Sequence, residues 1–245
     1  MTHLLFCDET DVVRQHGGNF FLYGGLVIAP EQFAHACAIV ADARADLGLL
    51  PREPLKFTPK ARPARVEAAA WTAAKDKVLR GVSQLGLHFL GVYVHEAVAK
   101  ADAKVHWAID ALCVSFNQLL APVKGQGFVV IDHTQDVDRA DFAEIASGAV
   151  AVSIFESDLK SIGGVAVGHV ESALPLQITD VVLGALRYCM EKPHHAVSAD
   201  IYRALGGLTG RLEQRPWNVK VPHYASDYVR LRDDLTALGA RSKTS

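Results

Sequence analysis

Four acidic side chains lie where the surrounding sequence could support metal chemistry. Asp8 and Glu9 directly follow the apolar run L-L-F-C, Asp132 ends the run F-V-V-I, and Asp180 lies inside a strongly apolar helical pattern. A carboxylate at the end of a buried element is costly unless a cation or hydrogen bonds stabilise it. Carboxylates at adjacent strand ends can hold two Mg²⁺ ions about 3.5–4 Å apart, an arrangement that hydrolyses phosphodiester bonds. We therefore predict Asp8, Asp132 and Asp180 as catalytic metal ligands, with Glu9 tuning the site or binding one ion through water.

Oxygen ligands of this kind select hard cations, so the predicted cofactor is Mg²⁺ or Mn²⁺. Each acid also has a simpler interpretation. The first strand could end in an ordinary polar turn, and Asp180 could form a buried salt bridge with Arg187 or with a strand lysine. On a 3.6-residue repeat Gln177, Asp180 and Gly184 share one face, and the small Gly184 would let that face lie close to a sheet.

The elements that must position these residues are visible in the hydrophobic pattern. Residues 3–7 lack alternation, which is typical of a central strand covered on both faces. Gly17-Gly18 then marks a turn before the strand F-F-L-Y-G-G-L-V-I-A, and so short a connection predicts an antiparallel hairpin. Further strands are predicted at 87–94, 128–134 and 165–170, with a weaker candidate at 150–155. Helices are predicted at 31–47, 66–85, 104–120, from 136 to about 147, at 176–190 and at 227–238.

The order of these elements predicts an α/β fold with a mixed sheet, in which the first and fourth strands lie side by side. This order fits a ribonuclease H-like sheet flanked by helices, with a basic loop and helical insertion at about 50–85. We expect one such domain over residues 1–192 and a C-terminal extension, 193–245, packed on the same domain.

Composition narrows the function classes. The chain has 245 residues, of which 50% are hydrophobic, and a formal net charge of -2, which argues against a strongly basic nucleic-acid coat. None of the four cysteines forms a C-x-x-C pair, so we expect reduced thiols in a cytoplasmic protein. A secretion signal and a membrane-spanning run are both absent from the pattern, and no membrane association is expected. Oligomeric state is left open.

Two stretches could still contact nucleic acid. The segment 51–65 contains the basic residues Lys56, Lys60, Arg62 and Arg65, with four prolines that favour an extended loop. Lys56 is predicted to contact a substrate phosphate or its developing charge. The region from residue 199 interleaves basic and aromatic residues, as single-strand binders do, although such stretches more often pack against a core. Asp136, Asp138 and Asp141 lack the Gly and Glu of a calcium loop and suit the first turn of a helix.

At these residues the chain resembles a bacterial and phage family known as domain of unknown function thirty-eight-hundred. The resemblance spans about positions 3–190. The matching motifs are Asp8-Glu9-Thr10, Tyr23-Gly24-Gly25, Leu55-Lys56-Phe57, Asp132, and the late set Ser172, Gln177, Asp180 and Gly184. Thr10 and Thr179 depart from the Ser and Ala that are usual in the family. The resemblance implies a ribonuclease H-like fold and a metal-dependent nuclease or related phosphoryl-transfer enzyme that acts on nucleic acid.

Other classes fit less well. A haloacid dehalogenase-type phosphatase needs a second Asp where this chain has Thr10, and a helix rather than a hairpin after its first strand. A dinucleotide-binding fold needs G-x-G-x-x-G between strand and helix, and a zinc site needs grouped Cys and His. The main alternative to a nuclease is a non-catalytic ribonuclease H-like module that binds nucleic acid or a protein partner.

Overall fold

The computed structural model describes residues 2–98, 101–132, 159–206, 209–215 and 222–244. The helix predicted from Asp136 to about Ser147 and the strand predicted at 150–155 lie outside these residues. Trp217 and Lys220, from the basic and aromatic C-terminal stretch, also lie outside them.

A six-stranded mixed sheet forms the centre of the protein. Its strands are β1 (Thr2–Val12), β2 (Phe20–Ile28), β3 (His88–His95), β4 (Gln126–Asp132), β5 (Ile162–Gly168) and β6 (Thr209–Arg215). They lie in the order β5-β4-β1-β2-β3-β6. β2 runs antiparallel to both β1 and β3, while β4 is parallel to β1 and to β5. The predicted α/β class, antiparallel first hairpin and adjacent first and fourth strands are confirmed.

Helices cover both faces of this sheet. They are α1 (Pro30–Asp46), α2 (Ala68–Gln84), α3 (Ala101–Leu120), α4 (Leu174–Glu191), α5 (Ala196–Ala204) and α6 (Pro222–Thr244), with short 3₁₀ turns at Pro59–Ala61 and Ala121–Val123. Side chains of α1, α2 and α4 form one hydrophobic core with the sheet, and α3 forms the other. β1 and β2 are buried between these two layers, which explains their lack of alternation.

The C-terminal region contributes to both the sheet and the first core. β6 pairs in parallel with β3, so that His88 is opposite Thr209 and Val94 is opposite Arg215. Tyr228 and Leu231 of α6 are buried in the core shared with α4. The hydrophobic pattern predicts no strand at 209–215, but in the structure these residues form β6, the strand at one edge of the main sheet.

Candidate functional site

Asp8 and Asp132 lie at corresponding positions of neighbouring parallel strands, but only Asp132 ends its strand. The first strand was predicted to end at Asp8 and instead continues to Val12 alongside β2. The register of β1 and β4 places Cys7 opposite Ile131, so Asp8 and Asp132 are the next residues at the same edge. Side chains alternate between faces along a strand. Phe6 and Val130, two residues earlier in each strand, both pack against the core that contains α4. Asp8 and Asp132 therefore face the same layer of the molecule.

Asp180 reaches this edge from the helix that crosses it. α4 packs on β1, and the Thr179 hydroxyl donates to the Phe6 carbonyl at 3.2 Å and to the Pro175 carbonyl at 3.1 Å. The bond to Phe6 joins α4 to β1 two residues before Asp8, whereas the bond to Pro175 lies within α4. The structure thus brings Asp8, Asp132 and Asp180 into one region, although they are separated by most of the chain.

The charges of this region act on one another. Burial raises the pKa of Asp8 well above its ordinary value, and the neighbouring carboxylates of Asp180, Glu9 and Asp132 raise it further. The Glu9 amide donates to Asp8 Oδ1 at 2.8 Å and partly offsets this rise. Repulsion between acids at this edge is the condition that a bound cation would relieve.

Asp180 has a structural partner as well. The Phe57 amide donates to Asp180 Oδ2 at 2.6 Å. Burial raises the pKa of Asp180, whereas this hydrogen bond and the nearby Lys56 charge lower it. The salt bridge considered for Asp180 and Arg187 is not what the structure shows: Arg187 donates to the Thr10 hydroxyl at 3.2 Å and lies 4.0 Å from the Glu191 carboxylate.

Leu55-Lys56-Phe57 is held against the face of α4 that carries Asp180. The Leu55 amide donates to Gln177 Oε1 at 2.9 Å, one helical turn before the Phe57–Asp180 bond. A Cβ at Gly184 would overlap the Phe57 side chain, so only glycine lets this segment approach so closely. The shared face of Gln177, Asp180 and Gly184 was predicted, but it receives this segment and not a sheet.

This docking positions two lysines near the acids. Lys56 lies between the two anchored residues and is close enough to Asp180 to lower the pKa of that carboxyl. Lys75 of α2 donates to the Phe57 carbonyl at 3.1 Å, and its ammonium lies 4.4 Å from the centre of the Phe57 ring. Burial lowers the pKa of Lys75, while Asp180 opposes that change. The local sequence does not identify Lys75 as a site residue, because its position near Asp180 depends on how α2 packs.

Several other cations of the 51–65 segment and of α2 interact with groups outside the acidic edge. Arg65 pairs with Glu53, Lys77 with Asp46 and Arg80 with Asp76. Arg62 donates to the Val66 carbonyl. Of the basic residues in the 51–65 segment, Lys56 is the one whose charge lowers the pKa of Asp180.

Glu9 lies on the face of β1 opposite Asp8. It is opposite Tyr23 in the β1–β2 register, and its neighbour along the same face, Cys7, packs in the core beneath α3. Its charge raises the pKa of both Tyr23 and Cys7. Glu9 consequently points to the face opposite Asp8. It influences Asp8 through its charge and its backbone amide, and it does not share that residue's ligand position.

Asp132 also supports the local backbone. The Val170 amide, just after β5, donates to Asp132 Oδ1 at 3.0 Å. Gln177 Nε2 donates to the Val170 carbonyl at 2.9 Å, which links this turn to α4. The chain after β5 is thus fastened to both the β4 end and the helix that carries Asp180.

The fit of a divalent cation can be tested on these residues. The donors are carboxylate oxygens, which suit Mg²⁺ or Mn²⁺ chemically. Within the described ranges, however, no three His, Cys, Asp or Glu side chains converge as they stand into a group that could hold a metal ion. Carboxylate oxygens are suitable ligands for Mg²⁺ or Mn²⁺, but the side chains of Asp8, Asp132 and Asp180 would have to turn toward one another to bind an ion.

Comparison with family models finds no match for this chain, and comparison with curated proteins finds none at the significance required. The family resemblance therefore stays a prediction based on its motif residues. Among the described helices, none combines the length and apolar character that crossing a membrane requires.

Proposed function

We propose that this protein is a ribonuclease H-like, metal-dependent nuclease or related phosphodiester hydrolase. The observation that supports the proposal is that Asp8, Asp132 and Asp180 lie in one region of one sheet edge, near enough for the charges of Asp180 and Asp132 to raise the pKa of Asp8. The strand order β3-β2-β1-β4-β5, with β2 antiparallel to its neighbours, supports the fold assignment. It is the order expected of the family that the sequence resembles.

Asp8, Asp132 and Asp180 would hold Mg²⁺ or Mn²⁺, and the bound ion would supply Lewis acidity at the scissile phosphate. Burial favours this role, because a cation binds more strongly to charges that water screens poorly. The raised pKa of Asp8 also implies competition between protons and metal, since only the ionised carboxylate is a good ligand.

The chain's own cations would act on the substrate. Lys56 is half-buried beside Asp180 and would contact a non-bridging phosphate oxygen. Lys75 would hold the segment that carries Lys56, through its bond to the Phe57 carbonyl. Nucleic acid is the proposed substrate class. The four cysteines are free thiols, which supports a cytoplasmic location.

Cleavage assays with purified variants test the proposal. Single-stranded and duplex DNA and RNA are incubated with Mg²⁺ or Mn²⁺ and the wild type, Asp8→Asn or Asp180→Asn. We expect metal-dependent cleavage by the wild type and a loss of at least about 100-fold in each variant, as for removal of an electrostatic catalytic group. Asp76→Asn is the control, because Asp76 is on the exposed face of α2 and pairs with Arg80.

Retention of wild-type activity in Asp8→Asn, or undiminished activity in EDTA, would contradict the proposal. Circular dichroism and melting curves of each variant separate lost chemistry from lost folding.

The alternative is a non-catalytic module that binds nucleic acid or a protein partner. A specific observation favours it: Asp180 and Asp132 accept backbone hydrogen bonds from Phe57 and Val170, so each has a structural use without a metal. Nucleic-acid binding without cleavage of any substrate, with either metal, would support this alternative.

A further inference from the structure

A second feature lies beyond the end of β1, away from the acidic edge. A cavity of about 550 Å³ opens between the turn after β1, the C-terminal end of α4 and the side of α6. Arg14, Lys192 and Arg230 line it, together with the acids Glu191 and Asp234 and several histidines. None of these residues belongs to the site already described.

The two acids of this cavity are occupied by interactions within the protein. Asp234 forms an ion pair with Arg14 and lies 3.4 Å from His194 Nε2. Glu191 accepts a hydrogen bond from the Val13 amide at 3.1 Å. In contrast, Lys192 and Arg230 are exposed, and neither has an ion pair with any residue that the structure describes. The Lys192 ammonium lies 5.2 Å from the centre of the Tyr188 ring, a contact that leaves it open to solvent. Two cations are therefore available to a ligand.

Arg14 supplies the second, independent observation. It is only 8% exposed, and its Nη1 has no hydrogen-bond partner within the described part of the chain. A buried charged donor without a partner is costly, and an anion in the cavity would satisfy it. The N-terminus of α5 also begins at the cavity wall, where His195 caps the helix through the Val197 amide. Helix N-termini favour anions.

We propose that this cavity binds a backbone phosphate of a nucleic-acid strand whose scissile phosphodiester lies at the acidic edge. The inference rests on the proposed function and extends it to a polymeric substrate. Along α4, Glu191 lies 11 residues after Asp180. This separation corresponds to about 16 Å at 1.5 Å per residue. At the spacing of about 3.4 Å per nucleotide in one strand of a duplex, the cavity would hold a phosphate about five nucleotides from the reacting one, and a more extended single strand would span the distance with fewer nucleotides.

Equilibrium binding without cleavage tests the inference. Fluorescence anisotropy in EDTA measures binding of a fluorescein-labelled 20-nucleotide single strand and a labelled dinucleotide to the wild type, Lys192→Ala and Arg230→Ala. Each variant should bind the 20-nucleotide strand several-fold more weakly. The slope of log K against log salt should also be lower by about 1 for each cation removed. Binding of the dinucleotide, which is too short to reach both sites, should not change.

Lys124→Ala is the matched control. Lys124 is exposed and lies two residues before β4, so it is at the opposite end of that strand from Asp132. The control should bind like the wild type. Equal binding by all proteins, or an equal loss in Lys124→Ala, would overturn the inference. So would full competition by inorganic phosphate, because the cavity would then take a free anion and not a strand.

The two proposals fail in different ways. Strand binding that depends on Lys192 and Arg230, without hydrolysis under any metal condition, would reject the nuclease and retain the cavity's role. Metal-dependent hydrolysis, together with strand binding that neither Lys192→Ala nor Arg230→Ala weakens, would support the nuclease and reject the cavity's role.

Discussion

Gln177→Leu tests whether the docked 55–57 segment depends on buried hydrogen bonds. Gln177 has no exposed surface. Its Oε1 accepts from the Leu55 amide and its Nε2 donates to the Val170 carbonyl, both at 2.9 Å. The substitution keeps a side chain of similar size and removes both bonds, which leaves a backbone N–H and a backbone C=O buried without partners.

The expected cost follows from these two groups. Leaving a buried polar group unsatisfied costs about 1–3 kcal/mol, so the variant should lose about 2–6 kcal/mol of folding free energy. In a protein of this size each kcal/mol lowers Tm by about 2–4 °C, which gives a fall of about 4–24 °C. The lower half of this range corresponds to partial relaxation that admits water.

Gln32→Leu is the matched control. Gln32 makes the same two kinds of bond, accepting from the Ala29 amide at 3.1 Å and donating to the Leu85 carbonyl at 3.0 Å. It is half-exposed at the start of α1, so water can replace the lost partners. We expect a loss of about 1–2 kcal/mol.

Urea denaturation measures both variants. The denaturation midpoint should fall much further for Gln177→Leu than for Gln32→Leu, with an unchanged dependence on urea concentration. Equal midpoints for the two variants would refute the reasoning, because burial would then not determine the cost.

Three further predictions concern the cores and the acidic edge. Because the folded state raises the pKa of Asp8, its contribution to stability is present below the unfolded value of about 3.9 and is lost as pH rises through the folded value. In EDTA, the Tm of Asp8→Asn should therefore exceed that of the wild type at pH 7 but not at pH 3.5. Added Mg²⁺ or Mn²⁺ should raise the Tm of the wild type and leave the Tm of Asp8→Asn unchanged. Tyr23→Phe should be neutral or should stabilise the fold by up to about 2 kcal/mol, since the buried Tyr23 hydroxyl has no hydrogen-bond partner among the described residues. Tyr228→Phe should cost about 1–2 kcal/mol, because the Tyr228 hydroxyl accepts a hydrogen bond from the His95 amide. The urea denaturation midpoints of the two variants test this difference. Gly184→Ala should lose about 1–3 kcal/mol through overlap with Phe57, partly offset by about 1 kcal/mol of helix propensity, and thermal melting of the variant measures the balance.

The central sheet could be predicted because its signals are local. Apolar runs that end in Asp8 and Asp132 define two strands, and the short connection through Gly17 requires a hairpin between β1 and β2. Gly17 adopts a positive φ of 90°, which glycine tolerates without strain. These features depend on a few neighbouring residues, so the sequence displays them directly.

The face to which Glu9 points was harder to infer. Alternation along a strand places Asp8 and Glu9 on opposite sides, but both faces of β1 are buried and no polar pattern marks which side carries the site. Only the packing of α4 against Phe6 decides that Asp8 faces the functional layer. That contact joins residues far apart in the chain, and no local pattern encodes it.

β6 escaped prediction for a different reason. Its sequence T-G-R-L-E-Q-R contains a single large apolar residue, Leu212, which packs against the first core. A polar sequence of this kind is normal for a strand at the edge of a sheet, because solvent can reach one side of it. Its assignment depends on pairing with β3, which tertiary structure alone supplies.

Asp180 shows how a structural bond and a reactive site can use one carboxylate. The Phe57 amide engages Oδ2 and lowers a pKa that burial raises, which keeps Asp180 more readily ionised than burial alone would allow. The same bond fixes the segment carrying Lys56. If a cation binds Asp180, it must either share this carboxylate with Phe57 or displace the segment. Proteolysis or hydrogen exchange of residues 55–57 with and without Mn²⁺ separates these cases, because displacement would increase exchange at the Phe57 amide and sharing would decrease it.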